Sequence, residues 1–252
     1  MKTPPAFSVS TAEAPVVSET ARAVRARGAL LHLAYGVRDE RQWLNQVRSF
    51  ADFVMTPPFH ALLEPLKQHV WVGDRIEKGN PVPDRATDRT GAPLFLAITD
   101  VMFEADAMQA ENRRRLIETG ELFAGVAQRV ETWAVEETYR ADPKVDTREA
   151  EQRVWLQIVM MNIVAAAEEE FNDWYEKEHI ERISAVPHFR GVRRMYSADV
   201  SPRYIALWKL AEPRAPEKEP WLSASETPWT RRIRRFMRDR QRFVFSSLQD
   251  TG

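Results

Sequence analysis

The run Phe171-Asn172-Asp173-Trp174-Tyr175-Glu176-Lys177-Glu178-His179-Ile180, carried on by Glu181-Arg182-Ile183 and closed by Val186-Pro187-His188-Phe189, decides how this chain is read. Apolar or aromatic residues at 171, 174, 175, 183 and 186 recur at the spacing of one buried helix face. His179 falls on that face, four residues after Tyr175 and four before Ile183. Glu168, Glu169, Glu176, Lys177, Glu181 and Arg182 cover the remaining sides. Pro187 ends the helix, because proline offers no backbone N–H and clashes with the preceding turn. A histidine turned inward among aromatics is the best chemical clue in the chain. Its unperturbed pKa lies near neutrality, so it can take and return a proton. The competing reading is a core histidine satisfied by a carbonyl or a carboxylate.

Outward from this helix, the pattern alternates between strands and helices. Before it comes a strand at Val154–Met161, and after it strands at Gly191–Tyr196 and Tyr204–Leu210. A Pro- and charge-rich loop over Glu212–Pro220, a helix over Thr230–Arg240 and a last strand at Arg242–Phe245 complete the order β-α-β-β-α-β. The first half runs in the same order. Strands are expected at Leu30–Val37, Gln68–Val72, Pro93–Thr99 and Val130–Glu136. Helices are expected at Asp39–Val54 and, bent near Gly120, at Ala105–Arg129. Two motifs echo between the halves: Pro57-Pro58-Phe59 with Pro187-His188-Phe189, and Pro93-Leu94-Phe95-Leu96-Ala97-Ile98 with Pro202-Arg203-Tyr204-Ile205-Ala206-Leu207. The two halves therefore read as a tandem repeat. The division is a mobile arm at 1–27, a first half at 28–140, a linker at 141–152 and a second half at 153–252. Each half is a ferredoxin-like unit, so the fold class is α+β.

Composition narrows the function. The chain has 252 residues, with 36 Lys+Arg against 37 Asp+Glu. A net charge of -1 gives no reason to expect nucleic acid or an anionic membrane as partner. There is no cysteine, which excludes disulfides and thiolate chemistry and is compatible with a cytoplasmic location. No apolar run is long enough to span a bilayer. Phosphate-binding glycine loops, a Gly-x-Ser-x-Gly elbow and closely spaced histidine metal motifs are all missing from the sequence.

The Phe171–Ile180 helix, the Val186-Pro187-His188-Phe189-Arg190-Gly191 turn and the Pro202-Arg203-Tyr204-Ile205-Ala206-Leu207-Trp208 strand together resemble the dimeric α/β-barrel superfamily, and within it the EthD-like branch. The resemblance implies two four-stranded sheets closed face to face, here within one chain, and leaves a homodimer through another surface open. It implies an inward histidine doing general acid/base work on aromatic, polyketide-like or lactone carbonyl compounds, without a cofactor. Some relatives by fold bind haem, but this helix is more similar to the haem-free branch. The expected function is a cyclase, isomerase or lyase acting on a hydrophobic small molecule. The alternatives are a cofactor-free monooxygenase, a small-molecule carrier, or an accessory protein to an oxidase.

His179 is then the expected catalytic acid/base, with Tyr175 to orient a carbonyl and Asp173 to orient the imidazole. Glu178 is a second candidate for that last role. Trp155, Trp174, Tyr204, Trp208 and, from the first half, His32 are the expected substrate-binding residues. The run Arg231-Arg232-Ile233-Arg234-Arg235-Phe236-Met237-Arg238-Asp239-Arg240-Gln241-Arg242 reads as a solvated helix paired with the acidic one. Trp221 and Trp229 flank its start and are candidates for a lid.

Overall fold

Strand β1 (Ala26–Tyr35) is buried on both faces, and its two faces enter different cores. Ala29, Leu31 and Leu33 pack with Leu156, Ile158, Leu207 and Phe245 of the second half, while Leu30 and Ala34 pack with Trp43, Val47 and Phe50 of the first. Side chains alternate along a strand, so a strand apolar on both sides lies between two apolar layers. One layer here is a facing sheet and the other is a layer of helices.

The computed structural model describes residues 25–73, 92–141 and 154–248. The first half continues from β1 through α1 (Glu40–Val54), β2 (Leu63–Gly73), β3 (Phe95–Phe103), α2 (Ala110–Glu118) and β4 (Arg129–Ala141). The second half begins with β5 (Trp155–Ile163). Its first helix is α3 (Glu168–Trp174), which passes through a π-helical turn at Tyr175–His179 into α4 (Ile180–Ser184). Then come β6 (Phe189–Tyr196), β7 (Tyr204–Leu210), α5 (Glu219–Ser225), α6 (Pro228–Ile233) and β8 (Met237–Ser247). The strands run β1-β3-β2-β8-β5-β7-β6-β4 around one closed antiparallel barrel. Each half contributes a four-stranded sheet in the ferredoxin-like order, β4-β1-β3-β2 and β8-β5-β7-β6. Joining β2 to β8 and β4 to β6 leaves no sheet edge unpaired. The helices cover the outer faces.

A buried ion network fastens the β4–β6 side. Arg193 of β6 reaches Asp100 of β3 and Glu137 of β4, each at 2.6 Å, and Glu137 also binds Arg140 at 2.8 Å. The two Arg193 bonds cross between the halves, so the barrel is held by charge as well as by strand pairing.

Several expected boundaries are corrected. The arm expected at 1–27 and the linker at 141–152 lie mostly outside the described residues, but β1 already begins at Ala26 and Ala141 still belongs to β4. The first half's second helix stops at Glu118 and yields to a 3₁₀ turn over Thr119–Phe123. Gly120 here lies so close to β4 that a Cβ would come within 2.3 Å of the Thr132 Oγ1, so the chain hugs the sheet instead of continuing outward. The helix expected over Thr230–Arg240 ends at Ile233, and Met237 and Arg238 are already paired with Ile163 and Asn162 in the sheet. The loop expected over Glu212–Pro220 carries the start of α5. Among the described residues, no helix is long and apolar enough to cross a membrane.

Candidate functional site

A cavity of about 320 Å³ lies between the second half's sheet and its helices. The sheet supplies Gln157, Val159 and Met161 from β5 and Trp208 from β7, alternate residues that all face the helix layer. The helix supplies Trp174, Tyr175, His179 and Ile183, and α5 closes one side with Trp221 and Leu222.

The π-turn sets the geometry of His179. A regular helix separates residues five apart by about 140° around its axis. Here the Ile180 N–H bonds back to the Tyr175 carbonyl, five residues away, and one extra residue is wound into the turn. As a result His179 stacks on Trp174, and Tyr175 and Trp208 meet the imidazole edge-on at 5.2 and 5.6 Å. The indole Nε1 of Trp174 donates to Thr230 Oγ1 at 3.1 Å, which locks the stacking platform to α6. Beneath, the buried Arg194 guanidinium lies 4.3 Å from the Tyr175 ring centre and binds Asn172 and Glu176 at 2.7 and 3.0 Å. It fastens the helix to β6.

Neither ring nitrogen of His179 has a hydrogen-bond partner among the described residues. Burial, with the charges of Arg234, Arg194 and Arg240 around it, lowers its pKa to about 3. The imidazole is therefore neutral, able to accept a proton at one nitrogen and donate from the other. Burial also raises the pKa of Tyr175, outweighing the opposing effects of Arg194 and Arg240, so its phenol stays protonated.

The expected site residues are only partly brought together. His179, Tyr175, Trp174 and Trp208 meet at the cavity. Asp173 does not: it points outward and pairs with Lys177 at 2.8 Å. Glu178 accepts from Thr227 Oγ1 at 2.5 Å instead of orienting the imidazole. Trp155 shares the sheet face of Val159 but packs in the core beyond the cavity. Tyr204 lines a separate cleft against Phe171 and donates to Glu168, a contact that, after burial, raises its pKa further. His32 belongs to the other half altogether. It is fully buried, with Phe50 and Phe123 at 4.7 and 4.8 Å, so it is a core residue and not a substrate contact. In the first half Phe123, carried in by the 3₁₀ turn, packs against His32, Trp43 and Phe50 in the layer between sheet and helices. Of the two lid candidates, Trp221 lines the cavity 5.8 Å from Trp208, while Trp229 donates to Glu170.

Compared by sequence, the chain matches no protein-family model and no curated protein significantly. Compared by shape, it is similar to a Fusobacterium nucleatum protein provisionally named a monooxygenase, with a TM-score of 0.53 and 7% identity over 89% of this chain and 93% of that one. It is also similar to an anthrone oxidase-like protein, with a TM-score of 0.52 and 10% identity over 89% and 92% of the two chains. At such identities the likeness is one of fold. The fold is dimeric-α/β-barrel-like, with two ferredoxin-like halves of one chain closing the barrel.

Three residues of this barrel's cavity escape a reading of the helix alone: Arg234, Arg240 and Arg242. They come from the basic run whose helical spacing hides them. Arg234 pairs with Glu226 across the cavity wall, while Arg240 and Arg242 project from β8. The expected pairing of this run with the acidic helix is seen between Arg232 and Glu170 at 2.6 Å. Among the described residues, no group of three or more His, Asp or Glu side chains is assembled to hold a metal ion.

Proposed function

We propose that this chain is a cofactor-independent enzyme that encloses a hydrophobic, ring-containing carbonyl or phenolic compound and removes a proton from it. One observation carries this reading: a neutral imidazole whose nitrogens meet no hydrogen-bond partner among the described residues stands in an aromatic-walled cavity large enough for a small molecule. Trp174, Trp208 and Trp221 hold the apolar body, His179 takes the proton, and the phenol of Tyr175 donates to the developing oxyanion. With its pKa near 3, His179 is a weak base alone. Proton transfer becomes favourable when the resulting substrate anion stays beside the imidazolium, because the two charges offset each other in a water-poor site.

The deprotonated substrate has two onward routes. Reprotonation or internal attack gives isomerisation, cyclisation or elimination, the outcome that the EthD-like resemblance favours. Reaction of a ring CH2 with dioxygen, one oxygen atom ending in a ring carbonyl and the other leaving as water with the two hydrogens, gives an oxygenated ring, which the names of the two structural neighbours support. Turnover of a panel of lactones and of anthrone, under air and under argon, separates the routes. The His179→Ala variant is expected to bind the same compounds and lose about 10²–10⁴ in rate, the usual share of general acid/base catalysis. Full turnover by that variant sinks the proposal. Binding without turnover by the native chain points to a carrier.

A further inference from the structure

We propose that Gln157 selects the substrate of this cavity: its side-chain amide takes a hydroxyl carried by the ring compound and so sets which edge of the ring meets His179. This rests on the reading of the cavity as a substrate site.

The state of the amide points this way. Gln157, Val159 and Met161 face the helix layer from β5, and all three line the cavity. Gln157 is only 4% exposed, yet its side chain meets no hydrogen-bond partner among the described residues. It is not sealed away either. The buried polar atoms enclosed without a partner include the indole nitrogens of Trp43, Trp71 and Trp133, but neither amide atom of Gln157. An amide that buried, and still touching open space, touches it in the cavity. Withdrawing an amide from water without giving it partners costs free energy, so a ligand that fills this space gains by supplying one. The amide offers two donor hydrogens and an acceptor oxygen, which suits a hydroxyl, itself donor and acceptor.

Its neighbours set the amide beside the proposed proton acceptor. Gln157 lies directly opposite Trp208 in the β5–β7 ladder. Opposite residues of an antiparallel pair share a face, with Cβ atoms about 5 Å apart. The Trp208 indole in turn meets the His179 imidazole edge-on at 5.6 Å. Gln157 from the sheet and His179 from the helix therefore flank one aromatic side chain. A flat ring lying against Trp208 can be held at its oxygen by the amide while a C–H meets the imidazole.

The fold itself does not require a polar residue at this place. The strand motifs Phe95-Leu96-Ala97-Ile98 and Tyr204-Ile205-Ala206-Leu207 align Ala97 with Ala206. His32 lies opposite Ala97 as Val159 lies opposite Ala206, so the first half has Leu30 where the second has Gln157. Leu30 is fully buried in an apolar core. The amide is present in the half that holds the cavity, beside the candidate acid/base.

Two probes of one ring, 2-naphthol and naphthalene, differ by the hydroxyl alone and are both uncharged at pH 7. Equilibrium dialysis measures their binding to the native chain and to Gln157→Met, which keeps an unbranched side chain of similar length. The native chain is expected to bind 2-naphthol about tenfold or more tightly than naphthalene, the scale on which a buried polar group left unpaired is felt. Gln157→Met should lose most of that ratio, while naphthalene binding and the melting temperature hold. His179→Ala should keep most of it, because the amide holds the hydroxyl. Equal binding of both probes by the native chain overturns the Gln157 inference and leaves the cavity reading standing. A ratio that survives in Gln157→Met, or vanishes in His179→Ala, overturns it too. If neither probe binds, the cavity reading falls and this inference with it. Where the variant fails to fold, NMR of the native chain decides: the Gln157 side-chain NH2 resonances should move on saturation with 2-naphthol, and resonances that stay in place overturn the inference.

Discussion

His179 lies flat against Trp174, with ring centroids 4.3 Å apart and planes 26° from parallel, although the two are five residues apart in the chain. Only the π-turn brings them together, and the stacking holds the imidazole against the cavity wall. The chemical consequence is a histidine that does not charge. Burial and three nearby guanidinium groups lower its pKa to about 3 from an ordinary 6.5. Its imidazole resonances are therefore expected to stay flat in NMR spectra recorded between pH 5 and 8. Arg240→Gln removes one of the repelling charges and should shift the midpoint upward. A native midpoint near 6.5 would contradict the buried geometry.

His32 offers a separate measurement in the first half. Burial lowers its pKa to about 3 as well, and its Nδ1 is enclosed without a partner. The unfolded chain takes up a proton below about 6.5, while the folded chain does so only near 3. Stability is thus fully present above the ordinary pKa and falls as pH drops from 6.5 towards 3. His32→Leu removes both the titration and the orphan nitrogen. Urea unfolding should show the variant gaining on the native chain between pH 7 and pH 5, by about 1–3 kcal/mol at the lower pH. An unchanged gap at the two pH values would mean that His32 is not neutral in the native state.

How far the sequence carried this reading depends on what each feature requires. The strand and helix order was legible, because alternation and helical periodicity are local patterns; α1, with Asp39 as its cap, begins where the pattern begins. His179 was legible as an inward residue for the same reason. Its stacking partner was not, since a single extra residue in a helical turn leaves no periodic trace. Asp173 failed as an orienting group because Lys177, one turn on, gives it an outward partner. Arg240 and Arg242 were hidden more deeply. Their face is set by the pairing of β8 with β5, which is distant in sequence and which the helical spacing of the basic run masks.

Arg193 tests how the halves are joined. Burial alone would raise the pKa of Asp100 and Glu137, but His69 and Arg193 around the first, and Arg140 and Arg193 around the second, hold both below their ordinary values. Their contribution is present above about pH 4 and is lost as pH falls through the depressed values. Arg193→Met leaves two buried carboxylates poorly compensated and should cost about 3–5 kcal/mol in urea unfolding at neutral pH. Acid unfolding of the variant should also begin at higher pH, because both carboxylates then titrate higher. A loss under 1 kcal/mol would show that strand pairing alone carries that side of the barrel.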